Sequence, residues 1–273
     1  MPSRSFAAEH PVANRLASTV WLMVVGLASV FILWLLFVEF VNMDQLVKKT
    51  PGDVWRYLYD SPKAAANRDD LYGALRVSLL NVLIGFIVGQ LLGVIASCAF
   101  LLSPALRRTF MPMAVMLRSV PMIVMTPIIG LVFGYTFTSV RVVTAIVVFF
   151  PTLVNVTLGL GSAPQQSADL VSAYGGSART TLLKVRLPYA VPALFASMRI
   201  AVPAAMVGAL LGEWLLTTDG IGHYLAARPA TFDYTGVWAA VAVVTVVTVI
   251  LYAIVGLLET PVLARFDPER LKE

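Results

Sequence analysis

The chain offers little to catalysis. Its two histidines, His10 and His223, are too few and too far apart for a metal cluster. The single cysteine, Cys98, lies within an apolar run, so no disulfide framework exists. Neither a G-x-S-x-G nucleophile turn nor a G-x-x-x-x-G-K-[ST] phosphate cradle occurs. An intramembrane enzyme would need a nucleophile with a base, or a metal set, inside the apolar segments, and the sequence supplies neither. What remains are polar or helix-breaking residues in or beside apolar runs: Arg118, Ser119, Pro121, Asn155, Arg199 and Glu213. A charge in hydrocarbon costs at least ~2.5 kcal/mol, so each demands a reason. Arg118 and Arg199 fall near span ends, where long stems snorkel to water. Glu213 either reaches an interface or lines a watery route between helices. Arg118, Ser119, Pro121, Asn155 and Glu213 together are the candidates for a polar pathway.

These residues are carried by elements built for lipid. Hydrophobic residues make up 59% of the 273 and charged residues 13%, with a mean hydropathy of +0.83. A soluble domain of that composition would lack polar surface, and several runs of about 20 apolar residues match the ~30 Å hydrocarbon core. The net charge of +5 is scattered over loops, which argues against nucleic-acid binding and for a topology signal. Six spans are expected, at 20–41, 74–102, 117–136, 139–161, 191–216 and 236–262. The first is too long for a signal peptide and lacks a small-x-small cleavage site. The third and fourth are interrupted by Pro121, Pro127 and Pro151.

Arg4, Arg15, Arg107, Arg108, Arg179, Lys184, Arg186, Arg265, Arg270 and Lys272 place both termini in the cytoplasm. The segment 42–70 disagrees: it would lie outside, yet holds Lys48, Lys49, Arg56, Lys63 and Arg68. Within it, TPGDVWRYLYD suits either a short interfacial helix, with Val54, Tyr57 and Leu58 on one face, or an ordered loop.

Lipid provides no hydrophobic drive between helices, so small residues must supply close packing. Gly85, Gly89 and Gly93 form one stripe, and Ser197, Ala201, Ala205, Gly208 and Gly212 another; Gly130 and Gly134 lie in the third span. An ion-coupled carrier would show inverted repeats and mid-span acids; no repeat is evident and such acids are scarce.

The segment 172–194, SAYGGSARTTLLKVRLPYAVPAL, carries three positive charges, two glycines and two prolines. Before the glycines, Leu170, Val171 and Tyr174 share a helical face. After them Ala178, Leu182 and Val185 do, with Ser177, Thr180, Thr181 and Lys184 opposite. Gly175 and Gly176 permit a bend, Pro188 ends the second piece, and Pro192 sits near the start of the next span. Two short helices joined at a glycine hinge result. They form either a protruding knob with an apolar docking face or a helix lying on the inner leaflet.

Here the chain resembles the permease subunits of ABC importers. Their last large cytoplasmic loop carries a Glu-Ala-Ala–x3–Gly motif and, about a dozen residues on, a Leu-Pro pair. The matching residues are Asp169-Leu170-Val171, Gly175 and Leu187-Pro188, with Asp for Glu and bulkier residues for the alanines. The likeness runs from about Leu71 to Phe266 through LRVSLLNVLIGFIVGQLLGV, RSVPMIVMTPIIGLVFG, FFPTLVNVTLGL and GEWLLTTDGIGHYL. In the last of these, Glu213, Gly220 and Gly222 match the family's outer Glu and Gly-x-Gly turn. Together the segments look most like the nitrate/sulfonate/taurine type.

The resemblance implies an all-α polytopic membrane protein of the bacterial inner membrane, with six transmembrane helices in the type I ABC-importer permease fold. It implies a cytoplasmic segment 1–19, an extracytoplasmic loop 42–73, a core 74–266 with the coupling loop 162–190, and a tail 267–273. Asp169, Leu170, Val171, Ser172, Ala173, Tyr174, Gly175, Gly176, Arg179, Leu187 and Pro188 would couple to an ABC ATPase dimer. ATP and Mg would be bound there, and no cofactor in this chain. The other implied partners are a second permease copy or paralogue, an extracytoplasmic substrate-binding protein and membrane lipid. The cargo would be a small anion such as a sulfonate, taurine or nitrate, or a thiamine precursor or other small heterocycle.

Overall fold

The computed structural model describes residues 11–42 and 44–266, so His10, Arg4, Arg270, Lys272 and the 267–273 tail lie outside the described residues. Every described regular element is helical. Helix α1 spans Pro11–Phe40, and α2, Pro51–Trp55, continues into a π-turn at Arg56–Asp60. Helix α3 (Ala64–Leu102) is followed by α4 (Pro104–Arg118), α5 (Met122–Phe133) and α6 (Phe137–Gly161). The short α7 (Gln165–Ala173) precedes α8 (Ala178–Thr181), which runs through a π-turn at Leu182–Arg186 into α9 (Leu187–Leu216). Helices α10 (Ile221–Ala227) and α11 (Tyr234–Phe266) complete the chain.

Among the described residues, four helices are long and apolar enough to cross a membrane: α3, α6, α8–α9 and α11. The pair α4–α5, bent by 107°, makes five if counted as one broken span, and Val24–Phe40 of α1 is a shorter apolar stretch. A single straight helix over 117–136 is therefore corrected. Ser119 and Val120 donate to Met116 and Leu117 in a tightened last turn, and Pro121 adopts an extended ψ of 124°. A residue before proline avoids the helical region, so the chain turns there.

The break expected at Pro188 is corrected in the opposite sense. The helix continues from Ala178 to Leu216, 39 residues, about 58 Å at 1.5 Å per residue. Just upstream, the Leu187 amide donates to the Leu182 carbonyl in a widened turn, which accommodates the backbone where Pro188 has no N–H to give. The 178–190 piece is thus the start of a long helix, not a separate one.

The core is a three-helix slab. A Cβ on Gly85 would stand 2.5 Å from Thr144 Cβ, one on Gly89 2.5 Å from the Ala145 carbonyl oxygen, and one on Gly93 2.7 Å from Thr152 Cβ. Both sets of numbers rise together, so α3 and α6 run parallel. Toward α9, a Cβ on Gly212 would stand 3.1 Å from Val140 Cα and one on Gly159 3.2 Å from Ala190 Cα, so α9 runs antiparallel to α6. Such approaches bring backbones together, the source of adhesion available between helices in lipid. Ile129 of α5, Val82 of α3, Val140, Val143 and Val148 of α6, and Ala201, Ala205 and Ala209 of α9 fill the interior.

Outside the slab, α2 is held by a capping box between Thr50 and Asp53 and buries Val54 and Leu58, while Trp55 and Tyr59 stay exposed. This is the short-helix alternative for TPGDVWRYLYD.

Candidate functional site

Two polar structures occupy opposite ends of the slab. At one end stands the α7 knuckle. Gln165 Nε2 donates to Asp169 Oδ1 one turn on, at 2.9 Å. Ala168 faces inward and is buried, whereas Leu170 is 59% and Tyr174 86% exposed. The helix stops at a two-bond motif: the Gly176 amide donates to the Val171 carbonyl and the Gly175 amide to that of Ser172, each at 2.9 Å. Gly175 has φ +79°, the left-handed geometry that this helix ending uses and that glycine adopts without strain. Gly176 has its own constraint, since a Cβ there would sit 2.8 Å from the Val171 carbonyl oxygen. The glycines therefore fix one sharp turn, a narrower role than a free hinge.

Ser177 caps the following helix by accepting from the Thr180 amide at 3.3 Å. Leu182, Val185 and Ala190 are buried, Leu182 and Ala190 packing with Val156 and Leu160 of α6. Ala178 is exposed and Thr181 buried, the reverse of the expected faces; Thr181 Oγ1 donates to the Ser177 carbonyl at 3.3 Å instead of to water. Arg186 Nη1 donates to the Leu160 carbonyl at 3.2 Å, meeting an orphan carbonyl in the last turn of α6 with positive charge. Arg179 is exposed, and Leu187 and Pro188 are half-buried.

At the other end lies Glu213, completely buried. Ser78 Oγ donates to Glu213 Oε2 at 2.6 Å, the Gly222 amide to the same oxygen at 3.1 Å, and Asn81 Nδ2 to Oε1 at 3.0 Å. The Ile221 amide donates to Ser78 Oγ at 2.8 Å, and Arg141 Nε to Asn81 Oδ1 at 3.1 Å. This clamp ties α3, α6, α9 and α10 together. Gly220, at φ +91°, turns the chain so that two successive amides point into it. A buried carboxylate is tolerated when its lone pairs are met by donors.

The expected pathway set separates. Glu213 neither reaches an interface nor lines an open route, because its two oxygens are sealed by three donors. Arg118 and Ser119 are exposed at the α4–α5 elbow with Pro121. Asn155 is half-buried and donates to the Pro151 carbonyl of its own helix at 2.7 Å. Arg199 does not simply snorkel: it pairs with Glu259 of α11 at 2.6 Å and lies over the Tyr252 ring, 5.8 Å from its centroid. Sequence reasoning missed Ser78, Asn81, Arg141 and Glu259. Ser78 and Asn81 had a signal, two polar side chains three apart on one helical face within an apolar run.

Burial also shapes the titration of the groups around α10. Tyr57 donates to Asp233 Oδ2 at 2.8 Å, and its hydroxyl is pushed far above the usual phenol range, first by burial and then by Tyr224 and Asp233. Arg228 completes the cluster, bonded to Asp70 and Asp233 at 3.0 Å each.

Long apolar helices, packed through glycine and with their polar groups engaged with one another, define a polytopic all-helical membrane protein. Residues 89–263, well over half of the chain, match the family described as binding-protein-dependent transport system inner membrane component, and the chain belongs to that family. A probable ABC transporter permease of Haemophilus influenzae is 30% identical over 80% of this chain and 91% of its own length. The formylaminopyrimidine transport permease of Halalkalibacterium halodurans is 31% identical over 68% of this chain and 74% of its own. A putative aliphatic sulfonates transport permease of Bacillus subtilis is 27% identical over 71% and 70%. Other relatives bear the names of nitrate and taurine permeases, the group that the sequence motifs indicate.

Proposed function

We propose that this chain is the membrane subunit of an ATP-driven importer, forming the solute pathway with a second permease chain and coupling it to separate ATPase subunits through α7. In this reading the chain crosses the membrane six times, by α1, α3, the broken α4–α5, α6, α8–α9 and α11. Both termini and α7 face the cytoplasm, and the Glu213 clamp faces outward, toward a substrate-binding protein. ATP and Mg belong to the ATPase partner.

The observation that carries the reading is the continuity from knuckle to clamp. An exposed apolar pair, Leu170 and Tyr174, sits on a helix closed by a rigid glycine turn, three residues before an unbroken 39-residue helix that ends beyond Glu213. An ATPase that binds one position of α7 more tightly than another biases the two states of the pathway by that difference. A stiff helix conveys the bias to the far side of the membrane.

The test uses the chain with its ATPase partner. Gly175→Leu, which no longer fits φ +79°, is expected to insert normally yet abolish uptake or ATPase co-purification. Tyr174→Ala removes an exposed side chain and is expected to lower co-purification at unchanged thermal stability. Normal uptake and normal co-purification in both would refute the reading.

The cargo is a small solute, either an anion such as a sulfonate, taurine or nitrate, or a small heterocycle. The identity to the formylaminopyrimidine permease, 31% over 68% of the chain, is matched by 30% over 68% to a putative aliphatic sulfonates transport permease of Escherichia coli, so sequence identity favours neither cargo. Competitive uptake of a labelled aminopyrimidine against taurine and nitrate separates the two.

A further inference from the structure

Helix α10 is stapled to α3 at both ends. The buried staple belongs to the clamp: the Ile221 amide donates to Ser78 Oγ at 2.8 Å. The exposed one is ionic. Arg228, one residue beyond α10, holds Asp70 Oδ2 through Nη2 at 3.0 Å. Positions 78 and 70 on α3 answer to 221 and 228 on α10, so the two helices lie antiparallel. The bridges stand eight residues apart on one helix and seven on the other, about 12 and about 10.5 Å at 1.5 Å per residue, so both close without bending either. Between them Leu71, Ala74 and Leu75 pack with Ile221 and Tyr224.

The staples differ in their access to solvent. Ser78 is completely buried, whereas the Asp70 side chain is 65% exposed. Arg228 has two further holds, both better shielded. Its Nη1 lies 3.0 Å from Asp233 Oδ2, and its guanidinium carbon lies 4.1 Å from the centroid of the Tyr224 ring. Asp233 is fixed in turn by the Tyr57 hydroxyl at 2.8 Å and the Gly236 amide at 2.9 Å. Loss of the Asp70 bond therefore leaves Arg228 tied to Asp233 at the head of α11 while releasing that end of α10 from α3. A cavity of about 570 Å³ adjoins the pair, lined by Asp70, Arg228, Asp219, Gly220 and His223 among others, so a group entering from outside the chain reaches the bond directly. Nor has α10 any slack against α9: a Cβ on Gly222 would stand 2.8 Å from Glu213 Cβ and from the Trp214 amide nitrogen. A swing of α10 about its buried staple must press on the Glu213 end of α9, since close-packed groups transmit displacement.

We infer that Arg228 is a positioning residue for transport: its bond to Asp70 holds α10 along α3 with the Glu213 clamp closed, and docking of the substrate-binding protein at the cavity opens that bond. The role of the docking partner rests on the importer reading proposed above; the staple's hold on the clamp does not.

Asp70→Ala removes the exposed partner and leaves Arg228 its other holds. An exposed ion pair biases two positions by roughly two- to fivefold. Amide exchange of the purified full-length chain in detergent reads such local opening. It is expected to quicken about two- to fivefold at Ile221 and Gly222 and to stay parent-like along α6, with Asp70→Glu restoring protection. In the complex with its ATPase partner, Asp70→Ala is expected to hydrolyse ATP about two- to fivefold faster without the binding protein, at an unchanged rate when the binding protein saturates. General damage would lower both rates. Parent-like exchange at Ile221 and Gly222 overturns the inference, as does exchange raised equally along α6. So does parent-like hydrolysis without the binding protein, in a complex that the binding protein stimulates. A parent complex that the binding protein does not stimulate faults the importer reading instead, and exchange at Ile221 and Gly222 still decides the staple.

Discussion

Replacing Glu213 by glutamine changes one oxygen to an NH2 and little else in shape, yet the clamp's other acceptors, Asn81 Oδ1 and Ser78 Oγ, already serve Arg141 and the Ile221 amide. If the remaining oxygen keeps the Ser78 hydroxyl and the Gly222 amide, the new NH2 faces Asn81 Nδ2, now 3.0 Å from the carboxylate. Turning Asn81 over to present Oδ1 would withdraw that oxygen from Arg141 Nε, 3.1 Å away. Either way one buried donor is orphaned and the charge-assisted bonds to Ser78 and Gly222 weaken, a loss of about 2 kcal/mol. At ~2–4 °C per kcal/mol for a chain of this size, the midpoint falls by about 4–8 °C. The assay is thermal unfolding of the detergent-purified chain, read by a maleimide dye at the half-buried Cys98. Ser78→Ala, which strips the Ile221 amide of its acceptor, should fall by a similar amount. A Glu213→Gln protein that melts within about 1 °C of the parent would refute this account of a donor-only clamp.

Gly89→Val should separate α3 from α6 and cost several kcal/mol through overpacking against the Ala145 carbonyl; Gly26→Val, where a Cβ meets nothing within 4 Å, should leave stability unchanged in the same unfolding assay. Glu259→Gln should lower stability by about 1 kcal/mol because Arg199, 37% exposed, loses its counter-charge, and the exchange of Arg199→Glu with Glu259→Arg should recover part of it. The Asp53 carboxyl is held below its usual range by hydrogen bonds from the Thr50 backbone and side chain. Its contribution to α2 is thus present above the unfolded carboxylate pKa and lost as pH falls through the lower folded value. The protection factors of the amides across 51–58, taken relative to the intrinsic exchange rate at each pH, should fall on acidification below the usual aspartate range, and Asp53→Asn should remove that pH dependence.

Much of this architecture can be read from local pattern. The Gly85-Gly89-Gly93 stripe is legible because in lipid small residues have one dominant use, and the structure sets α6 against it. Gly175 is legible as a turn for a related reason, since few other residues adopt its φ. Proline was the less reliable guide. Pro121 breaks its helix and Pro188 does not, because the outcome depends on whether the widened turn before it can absorb the missing amide. The clamp was hidden for two reasons. Ser78 and Asn81 lie more than 130 residues from Glu213 in sequence, and the third donor is the backbone amide of Gly222, which no side-chain pattern announces. Arg199 looked like a snorkelling residue because its partner, Glu259, sits on a different helix.

Glycine on both flanks leaves α6 gripped from two sides at backbone distance, with no side-chain cushion to deform. A push delivered to α9 cannot be dissipated by that helix sliding alone; it takes α6, and with α6 also α3, along as a single body. Displacement must then appear at the borders of that body: the elbow at 119–121 and the slender strap of 217–220. On the proposed function, gating would be the swing of a whole panel on its edges, and those edges, not the middle of any one rod, are where small substitutions should most change its timing.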